Sequence, residues 1–396
     1  MSSQNPVFIP GPTNIPDELR RAIDLPTMDH RSSAFVEILH PALAGIKRIV
    51  KLRDGEAIIF PATGTGAWEA AVTNLLSPGD TVLAARHGMF SHRWIDLCQR
   101  QGFNVEVIET DWGLGAPAGA LAVALSADKA HKIRAVLVTH NETATGVRSD
   151  VAAVRKALDT AGHPALLLVD GVSSIASMDF RMDEWGVDAA ITGSQKGFML
   201  PAGLSIVALS RKAIAAMATA TSPRCFFDFK DMLKSNASGG FPYTPPVSLI
   251  AGLAHSILML EDEGLENVFA RHYRIAEGVR RATRAWGLAL CAKSQELYSD
   301  TVSAIVVPAN FDSTRIATHA AEKYQVAFGV GLGKVAGKVF RIGHLGSMSD
   351  VMALSGIATA EMAMVDLGLP IKLGSGVAAA QEFYRTSTSN RQARAA

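Results

Sequence analysis

The chain has 396 residues, 48% of them hydrophobic, with 38 Lys+Arg against 37 Asp+Glu. That length supports a large core and points to two domains. The balanced charge excludes a basic surface built for nucleic acid or for an anionic membrane. Cys98, Cys225 and Cys291 stand far apart, so they form neither a metal knuckle nor a disulfide framework. No apolar run is long enough to span a bilayer. The start, Met1 to Pro6, lacks the charged and apolar regions of a signal peptide, so a reducing cytoplasm is the expected compartment.

Pro6, Pro10, Pro12 and Pro16 surround Gly11, and such a segment reads as an extended arm rather than a helix. It is either disordered or laid across a groove or a partner subunit. Helical periodicity follows from Asp17 to Ile23 and from Ala34 to Lys51. Next, Ala57-Ile58-Ile59-Phe60 leads into Pro61-Ala62-Thr63-Gly64-Thr65-Gly66 and then into a helix-forming stretch. Backbone N–H groups at such a helix start, with two hydroxyls beside them, suit a phosphate. The same junction also occurs where nothing binds, and it matches neither a Walker A loop nor a GxGxxG fingerprint.

Strand-like runs then alternate with helical ones. Thr81 to Ala85, Val105 to Ile108, Ala135 to Val138, Ala165 to Val169 and Leu204 to Leu209 read as strands. His92 to Gln101 and Val151 to Ala161 are among the helical segments between them. This pattern predicts an α/β fold with a largely parallel sheet covered on both faces. Ligands in such folds gather at the carboxyl ends of the strands. Polar residues follow two of these runs: Thr139-His140-Asn141-Glu142-Thr143 and Asp170. A break at Gly239 to Pro246 precedes a long helical stretch from Ser248 to Trp286, interrupted near Gly264. Strands at Ser303 to Val307 and Lys338 to Ile342, with helices at Ser313 to Tyr324 and Ser349 to Val365, read as a smaller α+β unit. The division expected is an arm (1–17), a large domain (18–263) and a small C-terminal domain (264–396). The polar tail from Arg385 onward reads as disordered.

Three residues carry the chemistry. Lys196 lies between apolar runs, in Ile191-Thr192-Gly193-Ser194-Gln195-Lys196-Gly197-Phe198. It is either a loop lysine reaching water or a desolvated amine of lowered pKa, fit for a Schiff base. Asp170 ends an apolar strand, and the spacing puts it and Lys196 at the ends of adjacent strands. It reads either as a helix cap or as a carboxylate paired with a pyridinium nitrogen. Arg341, in Val339-Phe340-Arg341-Ile342, needs an anionic partner if buried and lies in solvent if its strand is an edge.

In this order the features resemble the fold type I pyridoxal-phosphate enzymes, and more narrowly the alanine/serine–glyoxylate aminotransferases of class V. The resemblance runs from Pro10-Gly11-Pro12-Thr13-Asn14 to Gly374-Ser375-Gly376. His140-Asn141-Glu142-Thr143-Ala144-Thr145-Gly146, Val169-Asp170-Gly171-Val172-Ser173-Ser174 and Gly193-Ser194-Gln195-Lys196-Gly197 carry it most closely. Phe241-Pro242-Tyr243-Thr244-Pro245-Pro246 and Gly376 to Ala380 incline it toward the bacterial serine–glyoxylate branch.

The resemblance implies pyridoxal 5'-phosphate as cofactor, bound in a large domain whose mostly parallel mixed sheet is flanked by helices. Lys196 would carry the Schiff base and shuttle the proton, and Asp170 would hold the pyridine nitrogen. Thr63, Gly64, Thr65 and Gln195 would bind the cofactor phosphate. Phe90 would stack on the ring, where many relatives have tryptophan. Thr143 would lie near the ring hydroxyl and the substrate, and Arg341 would bind the substrate carboxylate. Thr244 would reach the phosphate of a neighbouring subunit, implying a homodimer or a higher oligomer with shared sites. Phe241 stands where some relatives have a tyrosine. The implied partners are small amino acids and 2-oxo acids, with no metal. Three rivals stay open: a lyase or desulfurase of the same fold, a nicotinamide-dependent oxidoreductase, and a non-enzymatic binding protein.

Overall fold

The protein's computed structural model describes residues 5–387. The first helices are α1 (Asp17–Ile23) and α2 (Ser33–Ile49). Nine strands follow in chain order: β1 (Gly55–Phe60), β2 (Thr81–Arg86), β3 (Asn104–Glu109), β4 (Ile133–Thr139), the short hairpin β5 (Asn141–Glu142) and β6 (Val147–Arg148), then β7 (Leu166–Asp170), β8 (Ala189–Gly193) and β9 (Ser205–Ser210). The helices among and after them are α3 (Gly64–Leu75), α4 (Met89–Arg100), α5 (Ala118–Ala127), α6 (Val151–Thr160), α7 (Arg211–Ala216) and α8 (Phe229–Ala237).

Seven of these strands form one sheet in the order β1-β9-β8-β7-β4-β2-β3, outside the hairpin. The pairs β2–β3, β2–β4, β4–β7 and β7–β8 are parallel. β9 is antiparallel to both of its neighbours. The inner strands β7 and β8 are buried along their whole length, as expected where helices cover both faces, whereas the edge strand β3 alternates polar and apolar residues. In β4, Val136 and Val138 enter one core while Ala135 and Leu137 enter the other.

The helical stretch after the proline-rich break divides into α9 (Val247–Glu263) and α10 (Leu265–Ala285). Gly264, at φ +83°, makes the break, since an L side chain is strained there. The remaining elements are β10 (Ala289–Leu290), β11 (Val302–Val306), α11 (Thr314–Tyr324), β12 (Gly329–Val330), β13 (Val339–Gly343), α12 (Asp350–Asp366) and α13 (Ser375–Thr386). Their strands form a second sheet, β10-β11-β13-β12, with its own core around Phe340, Ile342, Ile357 and Val279.

The N-terminal arm does lie across a groove. Phe8 is buried in the second core, and its N–H donates to the Ala327 carbonyl at 2.9 Å. The expected disorder from Arg385 onward fails for its first residues. Arg385 and Thr386 end α13, and Ser387 accepts from the Arg274 guanidinium. The rest of that tail, 388–396, lies outside the described residues. Among the described residues, no helix is long and apolar enough to cross a membrane.

Candidate active site

The register of the large sheet brings Asp170 and Lys196 together. Asp170 closes β7 opposite Ile191 of β8, and β8 ends at Gly193, three residues before Lys196. Both side chains are therefore presented beyond the carboxyl ends of neighbouring parallel strands.

Lys196 is 9% exposed, which removes the reading of a lysine reaching water. Its amine donates to the Pro10 carbonyl of the arm, and no carboxylate pairs with it among the described residues. Burial pushes its pKa down to about 8, the positive charge of Arg341 adds to the fall, and Asp170 opposes it. Thr13 fastens the arm: its hydroxyl donates to the Lys196 carbonyl and its N–H to the Gln195 carbonyl, both at 3.2 Å. Gly11 permits the crossing. It sits at φ +100°, and a Cβ there would lie 2.5 Å from the Lys196 Cδ.

Asp170 is 4% exposed. Its Oδ1 accepts the Val172 N–H at 2.9 Å, an ordinary strand-end turn contact. That single bond does not offset burial, so the carboxyl is pushed up to about 7. Trp68 of α3 lies close enough to favour the carboxylate, although its indole N–H finds no hydrogen-bond partner of good geometry.

Arg341 resolves the edge-strand alternative. β13 lies between β11 and β12. The strand's alternation sends Phe340 and Ile342 into the second core. It turns Arg341 the other way, 7% exposed, with Nη1 donating to the Thr143 carbonyl and Nε to the Val330 carbonyl, each at 2.9 Å. No anion of the described residues forms a salt bridge with it. Burial lowers its pKa to about 10 even though the Glu142 charge works the other way. A buried guanidinium held by two carbonyls is left with donors for a carboxylate.

The Gly/Thr turn opens α3. Thr63 is its N-cap but makes no side-chain cap, so the first-turn N–H groups stay open. Thr63 and Thr65 are exposed, and Gly64 is buried against Val172. The Gln195 Oε1 is buried without a partner. Phe90, at the start of α4, is half-buried. Thr143 is buried, and its hydroxyl donates to Ser173 at 2.7 Å. Thr244 is exposed on the segment before α9, and no hydrogen bond joins it to Thr63–Thr65 among the described residues. Phe241 packs against Phe35, with ring centroids 6.1 Å apart.

Two groups at the site carried no distinct sequence signal. The first is the arm, since four prolines announce an extended segment but not its destination. The second is Glu142, fully buried, which the sequence marks only as one of several polar residues after a strand and gives no role. Its carboxylate takes the N–H groups of Phe90, Ser91 and Ala144 at 3.0–3.2 Å. It thereby ties the start of α4 to the Thr143 loop. Two N–H donors at the start of α4 and one from the Thr143 loop favour the charged form, but burial outweighs them and its pKa is raised.

A cleft of about 1740 Å³ opens elsewhere, lined by Arg148, Asp179, Arg271, Arg274 and Asp350. Lys196, Asp170, Phe90 and Arg341 are not among its lining residues.

The family model described as "Aminotransferase class-V" matches residues 20–341. The chain belongs to the class-V aminotransferases. It is 67% identical to the L-aspartate–glyoxylate aminotransferase of Paracoccus denitrificans, over all of both chains. It is 54% identical to the serine–glyoxylate aminotransferase of Hyphomicrobium methylovorum, over 98% of each. The crystal structure of pyridoxamine–pyruvate aminotransferase from Mesorhizobium loti superimposes with a TM-score of 0.90 at 27% identity, covering 97% of this chain and 98% of that one. Class-V aminotransferases are pyridoxal-phosphate enzymes of fold type I, and this one is a transaminase with that fold and cofactor.

The residues of this aminotransferase fit that cofactor. The amine without a carboxylate, the under-satisfied Asp170 and the open first turn of α3 converge on one region. Each lacks what a phosphorylated pyridine aldehyde would offer it.

Proposed function

We propose that this class-V enzyme moves the amino group of serine, or of another small amino acid, to glyoxylate, giving glycine and, from serine, hydroxypyruvate. The observation that carries the reading is the convergence of Lys196, Asp170 and Arg341, from two sheets, on one buried region. Glyoxylate appears in the names of the relatives at 67%, 54% and 51% identity, whereas the donor changes from aspartate in the first to serine in the others.

When bound, pyridoxal phosphate supplies an aldehyde that condenses with amines and a ring that accepts the electron pair left by a departing α-proton. The open N–H groups of α3, with Thr63, Thr65 and Gln195, would hold its phosphate. Phe90 would cover one face of the ring and exclude water there. Asp170 would keep a proton on the ring nitrogen. Thr143 would lie beside the ring hydroxyl and the substrate. Arg341 would grip the substrate carboxylate and fix the Cα–H bond in front of Lys196. Lys196, as a neutral amine, would take the proton from the donor α-carbon and return one during the second half of the reaction. Thr244 would act on the phosphate of the neighbouring copy in a cytoplasmic homodimer.

Two of the three thiols, Cys98 and Cys291, offer little to a desulfurase reading, while Cys225 is exposed. Burial pushes Cys98 up to about 12 and Cys291 up to about 11, which suppresses the thiolate that such chemistry needs.

Initial rates with serine, alanine and aspartate against glyoxylate and pyruvate test the assignment. Glycine formation from glyoxylate with at least one of these donors is expected. Transamination confined to pyruvate, or sulfide release from cysteine in its place, would sink it.

The pH dependence has a definite sign. Only the neutral amine condenses with an aldehyde, and Lys196 becomes neutral above about pH 8 rather than above 10.5. Reconstitution of the cofactor-free protein should therefore quicken as pH rises through about 8 and then level off. Stopped-flow absorbance at the cofactor band checks this, and a midpoint near the ordinary lysine value would contradict it.

A further inference from the structure

Glu142 is completely buried, yet no cation forms a salt bridge with it among the described residues. A carboxylate in that setting is costly unless hydrogen bonds replace its water. Those bonds are divided between two parts of the site. Oε2 takes the Ser91 N–H at 3.0 Å, from the first turn of α4, where helix donors lack partners of their own. Oε1 takes the Ala144 N–H at 3.1 Å, from the loop after β5. The Phe90 N–H is shared between the two oxygens at 3.1 and 3.2 Å. The Ala144 loop carries Thr143, whose carbonyl holds Arg341 Nη1 at 2.9 Å and whose hydroxyl donates to Ser173 at 2.7 Å. The carboxylate reaches α4 only because residue 88 is glycine: a Cβ there would lie 2.1 Å from the Glu142 Cδ.

We propose that Glu142 is a positioning residue that joins the cofactor and substrate subsites into one unit: one oxygen sets the Phe90 end of α4, and the other sets the Thr143 carbonyl that aims Arg341. The inference rests on the glyoxylate-transaminase reading and deepens it by naming the residue through which ring and carboxylate are placed together. The role needs a carboxylate of this length. Both of its oxygens accept and neither donates, which suits N–H groups arriving from two sides. Glutamine keeps one acceptor and turns an NH2 group toward N–H donors, so either the helix or the loop is let go. Aspartate keeps both oxygens but is one methylene shorter, so it cannot reach both partners. The charge alone would act in the opposite sense. A buried anion near Arg341 competes with the substrate carboxylate, so a simple counter-charge would weaken substrate binding, and its removal would tighten it.

The test compares the full-length wild type with Glu142→Gln, Glu142→Asp and Gly88→Ala. G88A keeps the carboxylate and blocks only its reach, so it carries the test even if a change at the buried Glu142 impairs folding. Two constants are measured. The Kd for pyridoxal phosphate comes from titrating the cofactor-free protein and following tryptophan fluorescence, since Trp68 lies beside Asp170. The KM for glyoxylate comes from the holoenzyme at saturating cofactor, with whichever of serine, alanine and aspartate is the best donor. In all three variants both constants are expected to rise by about 10-fold, with kcat within about 3-fold of the wild type. A lower KM in E142Q with a wild-type KM in E142D would make Glu142 a counter-charge and overturn the proposal. A rise in only one of the two constants would overturn the coupling. Wild-type constants with a lowered Tm would leave Glu142 a purely structural group. Failure of the parent reading looks different: the wild type forms no glycine from glyoxylate with any donor, while the fluorescence titration still reads the α4 half of the contact.

Discussion

Replacing Lys196 with alanine is expected to lower steady-state transamination by on the order of 10,000-fold or more. The estimate combines the loss of a nucleophile with the loss of a general acid–base group, which alone is worth about 100- to 10,000-fold. No other amine among the contacts of this site can substitute. Arg341 is a guanidinium that stays charged at neutral pH, and the arm offers Lys196 only the Pro10 carbonyl. The variant should still fold, because the lysine forms no ion pair and its one acceptor is a backbone carbonyl. Circular dichroism and thermal unfolding would separate loss of chemistry from loss of structure. Turnover within about 100-fold of the wild type would remove Lys196 from the reaction.

Asp170→Ala is expected to have the next largest effect, a fall in kcat of about 1,000-fold, the scale of losing one preorganised electrostatic partner. In the chain alone the carboxyl is pushed up to about 7 by burial, so it is largely protonated in weakly acidic solution. A protonated pyridine nitrogen beside it would bring it back to the carboxylate form, since an opposite charge in a buried setting favours ionisation. The variant lacks that partner, and the ring nitrogen would lose its proton. A cofactor analogue methylated on that nitrogen carries a fixed positive charge and should restore a substantial part of the rate to D170A. Rescue would mark an electrostatic role. A full rate in D170A without the analogue would show that Asp170 only completes the turn at Val172.

Much of this was legible in the sequence, for stated reasons. Continuous apolar runs such as Leu166 to Val169 marked strands buried on both faces, and the polar residues after two of them, Thr139 to Thr143 and Asp170, marked the ligand edge. The Gly264 interruption and the Arg341 strand were legible because left-handed backbone and a charge among apolar neighbours are both costly. The course of the arm was not legible. Phe8 reaches the second core and Pro10 reaches Lys196 through long-range contacts that no local pattern encodes. Nor was the role of Glu142, since its partners are backbone N–H groups from a helix that starts some fifty residues earlier in the chain. The end of α13 was misjudged because Arg385 and its neighbours are polar in composition. The helix persists through Thr386, supported by the Arg385–Glu382 pair and by Arg274 reaching the Tyr384 and Ser387 carbonyls.

The identity of the reactive amine can be read directly. The holoenzyme, yellow with bound pyridoxal phosphate, is reduced with borohydride, digested, and its peptides are weighed. The expected result is bleaching with a pyridoxyl mass on the peptide containing Lys196, absent from the Lys196→Ala protein. A label on any other lysine, or a cofactor that leaves the reduced protein on denaturation, would contradict the assignment of this site.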